Sequence, residues 1–410
     1  MGAFVSPEVW MELLGREKIE VEKNAVNASL VISLCFDNSL IGNKFLVEMY
    51  NYLTTVFQGK NEEVSAVTVY LIVCCWSRHA RKETSGVYGE HLKLRGYLVN
   101  KVKLLESCNA VDKEALLQFK RGIEYDSSGQ LTTWNPNTDC CTSWNNVNCD
   151  ANTGRVVKIA PFRPSNPMDL DISIFVNGTI SPFLGNLTSL TELDLGHFQQ
   201  FYLDNPAGIR GPIPPQIGKL SQLTYLSVAQ NVLIGSIPAS FANLRRLKTL
   251  NLSYNRLSGT IPYLLFQSMK SLSNLYLEQN KLSGSIPSSI VNLISLGGLD
   301  LTNNSFSSEI PISIGKLKNL TSIQLSYNKF TGKIPDSLSE LSQLDTLKLD
   351  HNKLTGSIPP MVLNLKKLIV FDVSNNQLSG RIPPHSSSFP ASAFSGNVAL
   401  CDSPLPPCKR

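Results

Sequence analysis

The sequence predicts an α/β repeat solenoid, and three observations carry that prediction. One pattern, Leu-x-x-Leu-x-Leu-x-x-Asn-x-Leu-x-Gly-x-Ile-Pro, recurs at intervals of 24 residues with a single interval of 25. A period of this size indicates supersecondary units that stack on one another. Within each copy Leu-x-Leu alternates with period two, which is typical of a short strand with one buried face. The Gly and Ile-Pro that follow suit a bend and an extended segment.

Seven regular copies are preceded by less regular ones. A further copy starts at Leu190, is interrupted by about nine residues from position 197, and resumes at Ile209. Upstream of it, 157–159 and 178–180 form a half-copy. The regular copies begin at Leu223, Leu247, Leu272, Leu296, Leu320, Leu344 and Leu368.

An asparagine ends each predicted strand, at the point where the chain turns inward. A buried amide there can satisfy backbone groups of adjacent turns, so we interpret these residues as structural. In one copy Ser308 replaces the glycine of the next bend, which makes that bend the least secure part of the pattern. The asparagines are Asn231, Asn255, Asn280, Asn304, Asn328, Asn352 and Asn376.

The segment LSGxIPxxIxxL resembles the plant-type leucine-rich repeat of extracellular receptor ectodomains and of secreted relatives such as polygalacturonase-inhibiting proteins. The resemblance covers 108–410. It implies a curved right-handed superhelix with a parallel inner β-sheet, a helical or 3-10 convex side and disulfide-stapled caps. The implied domains are an N-terminal cap at 108–155, about nine repeats at 156–383 and a C-terminal cap at 384–410.

The N-terminal cap begins with CNAVDKEALLQFKRGI, whose Ala115, Leu116, Phe119 and Ile123 lie at helical spacing. Asp112 and Glu114 near its start favour the same short helix. The following LTTWNPNTDCCTSWNNVNCD resembles the family's cap, with two tryptophans and two disulfides.

Four cysteines allow three pairings. The resemblance implies that Cys108 pairs with Cys140 and Cys141 with Cys149. Since no His or further Cys lies at zinc-finger spacing, we expect no metal and no cofactor. Disulfides imply an oxidising compartment.

The C-terminal end resembles the family's second cap, in which Cys401 and Cys408 enclose a Pro-rich loop. Polygalacturonase inhibitors carry two cysteine pairs there, whereas this chain has Ser379 where the first extra cysteine is expected. It also has about nine repeats rather than their ten. These departures place it closer to the DNA-damage-repair/toleration-type and receptor-like members. With no membrane helix or kinase after Arg410, we expect a free solenoid.

Residues 1–107 contain no copy of the repeat and hold 12 basic and 12 acidic side chains. The start at Met1 is acidic and amphipathic, unlike a signal peptide. The apolar run 64–76, VSAVTVYLIVCCW, is too short to span a bilayer. This run is either the apolar region of a misplaced signal peptide or a buried strand. We therefore treat 1–107 as a leader of unknown structure, atypical or incorrectly assigned.

Charge separates the predicted inner face from the rest of the solenoid. The exposed strand positions carry seven acidic side chains and two lysines, a balance of −5, whereas the region from Cys108 onward holds 25 basic and 20 acidic side chains. The rest of that region is therefore +10. The bases gather just before each strand, at Lys219, Arg245, Arg246, Lys316, Lys318, Lys366 and Lys367.

An acidic face with tyrosines suits a partner that presents lysine or arginine. We expect Tyr254, Tyr276 and Tyr327 to anchor such a partner and Asp300, Asp350 and Asp372 to steer it. The alternative is that these side chains only solubilise an exposed sheet. The full set of candidate partner-binding residues is Tyr225, Lys248, Tyr254, Tyr276, Glu278, Asp300, Gln324, Tyr327, Lys348, Asp350 and Asp372.

Catalysis and nucleic-acid binding are disfavoured. Asp300 is flanked in its row by Tyr276 and Gln324, so no enclosed carboxylate pair is expected, and His197 and His351 lie six copies apart. No phosphate loop or nucleophile elbow occurs. An acidic face would repel phosphate.

Two functions remain, and both use the same fold. The first is an extracellular or cell-wall defence protein that inhibits a secreted microbial cell-wall hydrolase, for example a polygalacturonase. The second is a receptor-like protein or co-receptor that binds a peptide or a receptor kinase ectodomain. A further alternative is pectin binding through the basic edge. Of five sequons in the solenoid, we expect glycans at Asn177, Asn186 and Asn319, since a glycan on Asn251 would block the inner face.

Overall fold

The computed structural model describes residues 20–24, 29–36, 68–75, 108–127, 129–160, 176–196 and 208–408, the first three ranges by their backbone. The chain forms two compact units, Met1–Lys103 and Leu104–Arg410. In the first unit, β1 (Glu20–Asn24) pairs antiparallel with β2 (Ser29–Phe36), which pairs in parallel with β3 (Thr68–Cys75). β3 lies inside the apolar run 64–76, so the structure shows a strand there.

The second unit opens with the predicted cap helix, α1 (Ala110–Arg121). Asn109 caps it, because its Oδ1 accepts hydrogen bonds from the backbone N–H groups of Val111 and Asp112 at 3.0 and 3.3 Å. Asp112 was expected to act through its charge at the helix start. Its carboxylate is instead fully buried and accepts two hydrogen bonds from Arg155, at 2.8 and 2.9 Å, so it ties the cap to the first strand of the solenoid.

The solenoid and its caps contain short strands at regular intervals. In chain order they are β4 (Ile123–Asp126), β5 (Val147–Cys149), β6 (Val156–Ile159), β7 (Val176–Thr179), β8 (Glu192–Asp194), β9 (Ile209–Pro212), β10 (Tyr225–Ser227), β11 (Val232–Ile234), β12 (Thr249–Asn251), β13 (Ser258–Gly259), β14 (Asn274–Tyr276), β15 (Lys281–Gly284), β16 (Gly298–Asp300), β17 (Ser305–Glu309), β18 (Ser322–Gln324), β19 (Lys329–Thr331), β20 (Thr346–Lys348), β21 (Thr355–Gly356), β22 (Val370–Asp372), β23 (Gln377–Arg381) and β24 (Ala399–Cys401).

One ten-stranded sheet runs through all the repeats in the order β22-β20-β18-β16-β14-β12-β10-β8-β6-β5. Neighbouring strands of this sheet are parallel, except for the antiparallel pair β5 and β6 at the N-terminal cap. Three smaller sheets, β11-β9-β7-β4, β13-β15-β17-β19 and β21-β23-β24, follow the bends after the main strands. The predicted half-copy is present, since β6 pairs with β8 and β7 with β9.

The side of each repeat opposite the main sheet is made of single helical turns. Two are α-helical, α2 (Leu265–Ser268) and α3 (Pro360–Leu363). The others are 3-10 helices: Pro182–Asn186, Pro215–Lys219, Ala239–Asn243, Ser288–Asn292, Ile312–Lys316 and Asp336–Glu340. Two further 3-10 turns, Gln130–Thr133 and Ala391–Phe394, lie in the caps.

The core is a stack of identical apolar positions. Leu250, Leu275 and Leu299 are in register on adjacent strands and are at most 1% exposed. One repeat alone could not enclose these side chains, so stacking supplies the burial. Phe306 and Phe330 continue the stack at the second bend, with ring centroids 6.2 Å apart.

The repeat asparagines form the ladder that the sequence predicts. Asn328 Nδ2 donates to the carbonyls of Leu301, Leu325 and Ser326, and its Oδ1 accepts from the Phe306 N–H. The other copies repeat this set. The ladder also contains one asparagine more than the sequence predicts, Asn397 in the C-terminal cap.

All three expected disulfides are present: Cys108–Cys140, Cys141–Cys149 and Cys401–Cys408. In the same cap Trp134 and Trp144 stack on each other, with ring centroids 5.3 Å apart. The bend at Ser308 keeps the geometry of the glycine copies, with φ of +70°. Among the described residues, no helix has both the length and the apolarity needed to cross a membrane.

Candidate protein-binding face

The inner face is the surface formed by the side chains of the ten-stranded sheet that point away from the leucine core. Strand register orders it into rows that run across the repeats. One row is Glu192, Tyr225, Thr249, Asn274, Gly298, Ser322, Thr346 and Val370, and the next is Asp194, Ser227, Asn251, Tyr276, Asp300, Gln324, Lys348 and Asp372.

Two further rows follow the strand ends. The third row is mostly small and buried: Gly196, Ala229, Ser253, Glu278, Thr302, Ser326, Asp350 and Ser374. The fourth row is polar and aromatic, and each member adopts a left-handed backbone with φ between +52° and +56°: Gln230, Tyr254, Gln279, Asn303, Tyr327, His351 and Asn375. His197, the remaining member by sequence, lies outside the described residues.

The predicted partner-binding residues are exposed to different degrees. Tyr254 and Tyr327 are 36% and 51% exposed, whereas Tyr225 and Tyr276 are half-buried. Lys248 is exposed, and Asp300, Gln324, Lys348 and Asp372 are half-buried. These side chains share one continuous surface, because adjacent rows and repeats place them side by side.

Asp350 does not lie where the sequence pattern suggested. It is only 8% exposed, and its carboxylate accepts a short hydrogen bond from Ser326 Oγ and contacts His351 Nδ1 at 3.0 Å. The His351 ring in turn stacks on Tyr327, with centroids 4.0 Å apart and planes within 11°. Asp350 therefore supports an aromatic pair on the surface and is too enclosed to steer a partner.

The N-terminal part of the inner face contains a cavity of about 280 Å³ lined by Lys158, Ile159, Glu192, Asp194 and Tyr225. Lys158 and Glu192 form an ion pair at 2.6 Å. Asp194 is buried and accepts a hydrogen bond from the Gly196 N–H. Lys158 is not among the residues predicted from the sequence, although its place in the half-copy that pairs with β8 was the available signal.

The central part of the inner face holds two carboxylates close enough to interact, Glu278 and Asp300. Burial, and next the charge of Asp300, raise the pKa of Glu278 to about 7, while a hydrogen bond with Ser253 acts in the opposite direction. Burial and the same two carboxylates also raise the pKa of Tyr276. The expectation that no carboxylate pair is enclosed was wrong, because it compared Asp300 only with neighbours in its own row. Glu278 lies on the diagonal.

The cavity at Lys158 and Tyr225 lies in a different part of the inner face from this pair. In the described part of the third and fourth rows, the Ser326 hydroxyl donates its hydrogen bond to Asp350 and not to His351. Ser326 and His351 are therefore not arranged as a nucleophile and its general base. What the inner face offers is a rigid surface of tyrosines, amides and carboxylates, which is suited to holding another macromolecule.

The basic border consists of the cations that precede the strands: Lys219, Arg245, Arg246, Lys316, Lys318, Lys366 and Lys367. All seven are exposed, as the sequence predicted. Several have local partners, such as Lys318 with Glu340 at 2.7 Å and Lys367 Nζ with Gln343 Oε1 at 2.5 Å. The contact with Lys318 lowers the pKa of Glu340.

The three selected sequons differ in accessibility. Asn186 and Asn319 are exposed, and Asn319 Nδ2 donates to the Ile294 carbonyl at 2.8 Å. Asn177 is half-buried, and its Oδ1 accepts from the Gly208 N–H at 2.9 Å.

Family profiles match both the cap and the repeats. The profile described as leucine rich repeat N-terminal domain matches residues 109–150. Profiles described as leucine rich repeat match 213–257, 271–293, 299–354 and 367–389.

Curated plant proteins align with parts of the solenoid. The DNA damage-repair/toleration protein DRT100 of Arabidopsis thaliana is 36% identical over 136 residues, which cover 32% of this chain and 34% of that protein. A polygalacturonase inhibitor of Vitis vinifera is 35% identical over 29% of this chain and 30% of the inhibitor. The receptor-like protein EIX2 of Solanum lycopersicum is 35% identical over 33% of this chain but 12% of its own length. The chain thus spans about a third or less of the relatives that it matches.

Solved structures share the fold over more of the chain. The crystal structure of PEPR1-AtPEP1 superposes with a TM-score of 0.58 at 31% identity, covering 66% of this chain and 36% of that one. A plant ice-binding protein gives 0.55 at 27% identity, covering 74% and 99%. The ectodomain of the Arabidopsis receptor kinase HAESA, in complex with the peptide hormone IDA, gives 0.52 at 30% identity, covering 66% and 46%.

Proposed function

On the premise that this chain is a plant leucine-rich repeat protein with an N-terminal cap domain, we propose that it is an extracellular binding protein whose inner face holds a protein or peptide partner with a basic, extended surface. Three disulfides support an extracellular location, because such bonds persist in oxidising compartments. We also propose that the protein carries glycans at Asn177, Asn186 and Asn319.

The separation of charge carries this proposal. With Lys158 added, and with Asp345 and Lys248 just before the first row counted, the inner face has seven acidic and three basic side chains, whereas the lysines and arginines gather in the border. Opposite potentials steer association and set the orientation of a partner. A partner with a basic edge would be attracted to the inner face and repelled from the border.

Tyrosines supply the contact area on this face. Tyr254 and Tyr327 are exposed members of the fourth row, and the ring of Tyr327 is held by its stack on His351. A ring that is already ordered loses little conformational entropy on binding, which favours a role as an anchor. Asp300 and Asp372 remain the candidate steering residues, and Asp350 is withdrawn from that role because it is buried.

The favoured partner is a secreted microbial cell-wall hydrolase, which the protein would inhibit by covering a basic surface. Similarity to a polygalacturonase inhibitor supports this choice. The second candidate is a peptide or a receptor kinase ectodomain. It is supported by the similar solved ectodomain of the receptor kinase HAESA, which is in complex with a peptide hormone ligand. Pectin binding by the basic border is less favoured, since Lys318 and Lys367 already have local partners.

Biosensor kinetics would test the proposal. Secreted fungal polygalacturonases with basic surfaces and blocked basic peptides are passed over the immobilised full chain at low and moderate salt. Truncating Tyr254 or Tyr327 to alanine should weaken binding by about 2 kcal/mol if the residue is a hot spot. The Asp300→Asn and Asp372→Asn variants should mainly slow association and reduce its dependence on salt.

The matched controls lie on the helical side, where Tyr263 is 56% exposed and Asp336 begins a 3-10 helix. The Tyr263→Ala and Asp336→Asn variants should leave both rates unchanged. Unchanged affinity in the inner-face variants would exclude the inner face. Loss of pectin binding after neutralising Lys316 and Lys366 would favour the border instead.

A further inference from the structure

A second exposed surface lies on the strands of the second bend. We call it the second-bend face and define it as the outward side chains of β13, β15, β17, β19, β21 and β23 and of the residues that adjoin these strands. The strands pair in chain order, and a bridge between Lys333 and Thr355 links β19 to β21. Leu282, Phe306 and Phe330 alternate with the outward residues and are buried, so the face covers one side of the core.

The outward side chains of this face are mainly cations and hydroxyls, arranged in three rows. The first row contains Arg256, Lys281, Lys329 and Lys353, all of which are exposed. The middle row lies two residues further along each strand and is a serine or threonine in all six repeats: Ser258, Ser283, Ser307, Thr331, Thr355 and Ser379.

The third row, again two residues further on, contains Lys333, Arg381 and the one acid of the three described rows, Glu309. Its side chains extend over the next repeat. A Cβ added to Gly332 would lie 2.7 Å from Glu309 Cγ, and one added to Gly356 would lie 3.1 Å from Lys333 Cγ. The rows therefore form one continuous surface that holds six cations and one acid, a balance of +5.

Most of the cations on this face are unpaired, whereas several of those in the basic border have local partners. Arg381 contacts Asp402 at 3.6 Å. The other five form neither a hydrogen bond nor an ion pair with any described residue: Arg256, Lys281, Lys329, Lys333 and Lys353. A surface of unpaired charges of one sign attracts ligands of the opposite sign.

The composition of the second-bend face favours a sugar polymer over a protein as the ligand. None of the side chains in its three described rows is aromatic, although aromatic side chains supply many of the hot spots of protein interfaces. Serine and threonine hydroxyls can donate to and accept from sugar hydroxyls, and ammonium groups pair with carboxylates. Six strands at the usual spacing extend over about 24 Å, which suits an extended chain.

We propose that the second-bend face binds a linear acidic polysaccharide whose sugars carry carboxylates, a polyuronate. The carboxylates pair with the cations of the first and third rows, and the sugar hydroxyls bond to the middle row. This inference takes from the proposed function only the extracellular location, because it uses neither the inner face nor the basic border. The protein therefore holds a polysaccharide and a protein partner on separate surfaces.

Fluorescence anisotropy with a labelled oligogalacturonide and the full chain tests this proposal. Affinity should fall about tenfold or more between about 50 and 200 mM salt, because binding displaces counterions. The same oligomer with methyl-esterified carboxyl groups should not bind. A labelled polyglutamate of equal charge should bind at least about fivefold more weakly, because it offers no hydroxyls to the middle row.

Variants locate the binding surface. Lys329→Gln combined with Lys353→Gln should weaken binding about tenfold, since each exposed ion pair contributes about threefold. The matched control is Lys316→Gln combined with Lys366→Gln, which removes the same charge from exposed positions of the basic border and should change affinity by less than about twofold. Glu309→Gln removes the acid of the face and should strengthen binding about twofold.

The middle row is tested by Thr331→Val, which keeps the shape of the side chain and removes a hydroxyl that has no partner among the described residues. It should weaken binding about threefold. Unfolding midpoints equal to that of the original protein show that the variants are folded.

The outcomes separate this proposal from the proposed function. Absence of oligogalacturonide binding at low salt, or equal losses in the two double lysine variants, would overturn the second-bend face as the site. Equal binding of polyglutamate would overturn the sugar as its ligand. Tyr254→Ala should leave oligogalacturonide binding unchanged, and the Lys329 and Lys353 double variant should leave binding at the inner face unchanged, so either proposal can fail alone.

Discussion

At the scale of single residues, the third row shows how position after a strand decides the chemistry of a carboxylate. Ala229, Ser253 and Ser326 are all buried there, so the row favours small side chains. Asp350 tolerates burial because Ser326 and His351 satisfy it. Glu278 is longer, faces Asp300 and retains one unsatisfied oxygen. The same row thus contains one acid whose two oxygens have partners and one that keeps a buried oxygen without a partner.

Glu278→Gln should stabilise the protein at pH 8 and change little at pH 5. The pKa of Glu278 is raised from 4.5 to about 7 on folding, so between those values the folded state keeps a proton that the unfolded state releases. Stability is therefore lost as pH rises through this window, and glutamine removes that loss. After discounting for partial exposure, we expect a gain of roughly 1–2 kcal/mol.

Urea unfolding at pH 5 and pH 8 measures this difference. Glu309→Gln, an exposed carboxylate on β17, is the control and should change stability by no more than about 0.5 kcal/mol at either pH. An equal effect of Glu278→Gln on stability at both pH values would contradict the interpretation that burying the ionised Glu278 side chain lowers stability at pH 8.

At the scale of elements, the strands are too short to be stable alone, and the asparagine ladder joins one repeat to the next. Each amide bonds carbonyls of its own turn and of the preceding one, and accepts an N–H from the second bend. Because these backbone groups are buried, nothing else satisfies them if the amide is removed. The ladder reaches Asn397, so the C-terminal cap is built as a continuation of the solenoid.

Asn328→Ala should therefore destabilise the protein by about 2–4 kcal/mol, since several buried backbone groups lose their partner at once. Asn303→Ala is the matched control. Asn303 is exposed on the fourth row, where its left-handed backbone disfavours alanine, so its replacement should cost only about 1 kcal/mol. Chemical denaturation compares the two, and similar losses would show that the ladder contributes no special stability.

At the scale of the whole molecule, the boundary between the two compact units falls next to the first cap cysteine. The second unit starts at Leu104 and contains its own core, three disulfides and both caps. A core of stacked leucines closed at each end by a cap needs no further element to bury it. We expect the second unit to carry the binding function.

A fragment covering 108–410, expressed through a secretory host, should fold and bind the same partners as the full chain. Its thermal unfolding should be cooperative and its midpoint close to that of the full chain, because the core contacts described above all lie within it. Calorimetry and near-ultraviolet circular dichroism would measure this. Loss of cooperative unfolding in the fragment alone would show that 1–107 contribute to the core.

The sequence by itself determined the repeat boundaries, the short strands with one buried face and the structural role of the asparagines. These follow from local rules: period two buries one side of a strand, and a fixed repeat length places equivalent residues in register. The family resemblance added the three disulfide pairs, and the structure confirms them. Even Ser308, which breaks the glycine pattern, follows the bend of its neighbours because the stacked repeats on either side impose it.

Only the tertiary structure decided which charged residues of the inner face are available. Alternation tells which side of a strand a residue occupies, but not how deep it lies after the strand ends, and so Asp350 was misplaced. Row-by-row comparison also omits diagonal neighbours, which hid the pair of Glu278 and Asp300. Burial, pairing and pKa depend on distances between repeats, and those distances arise only when the repeats stack.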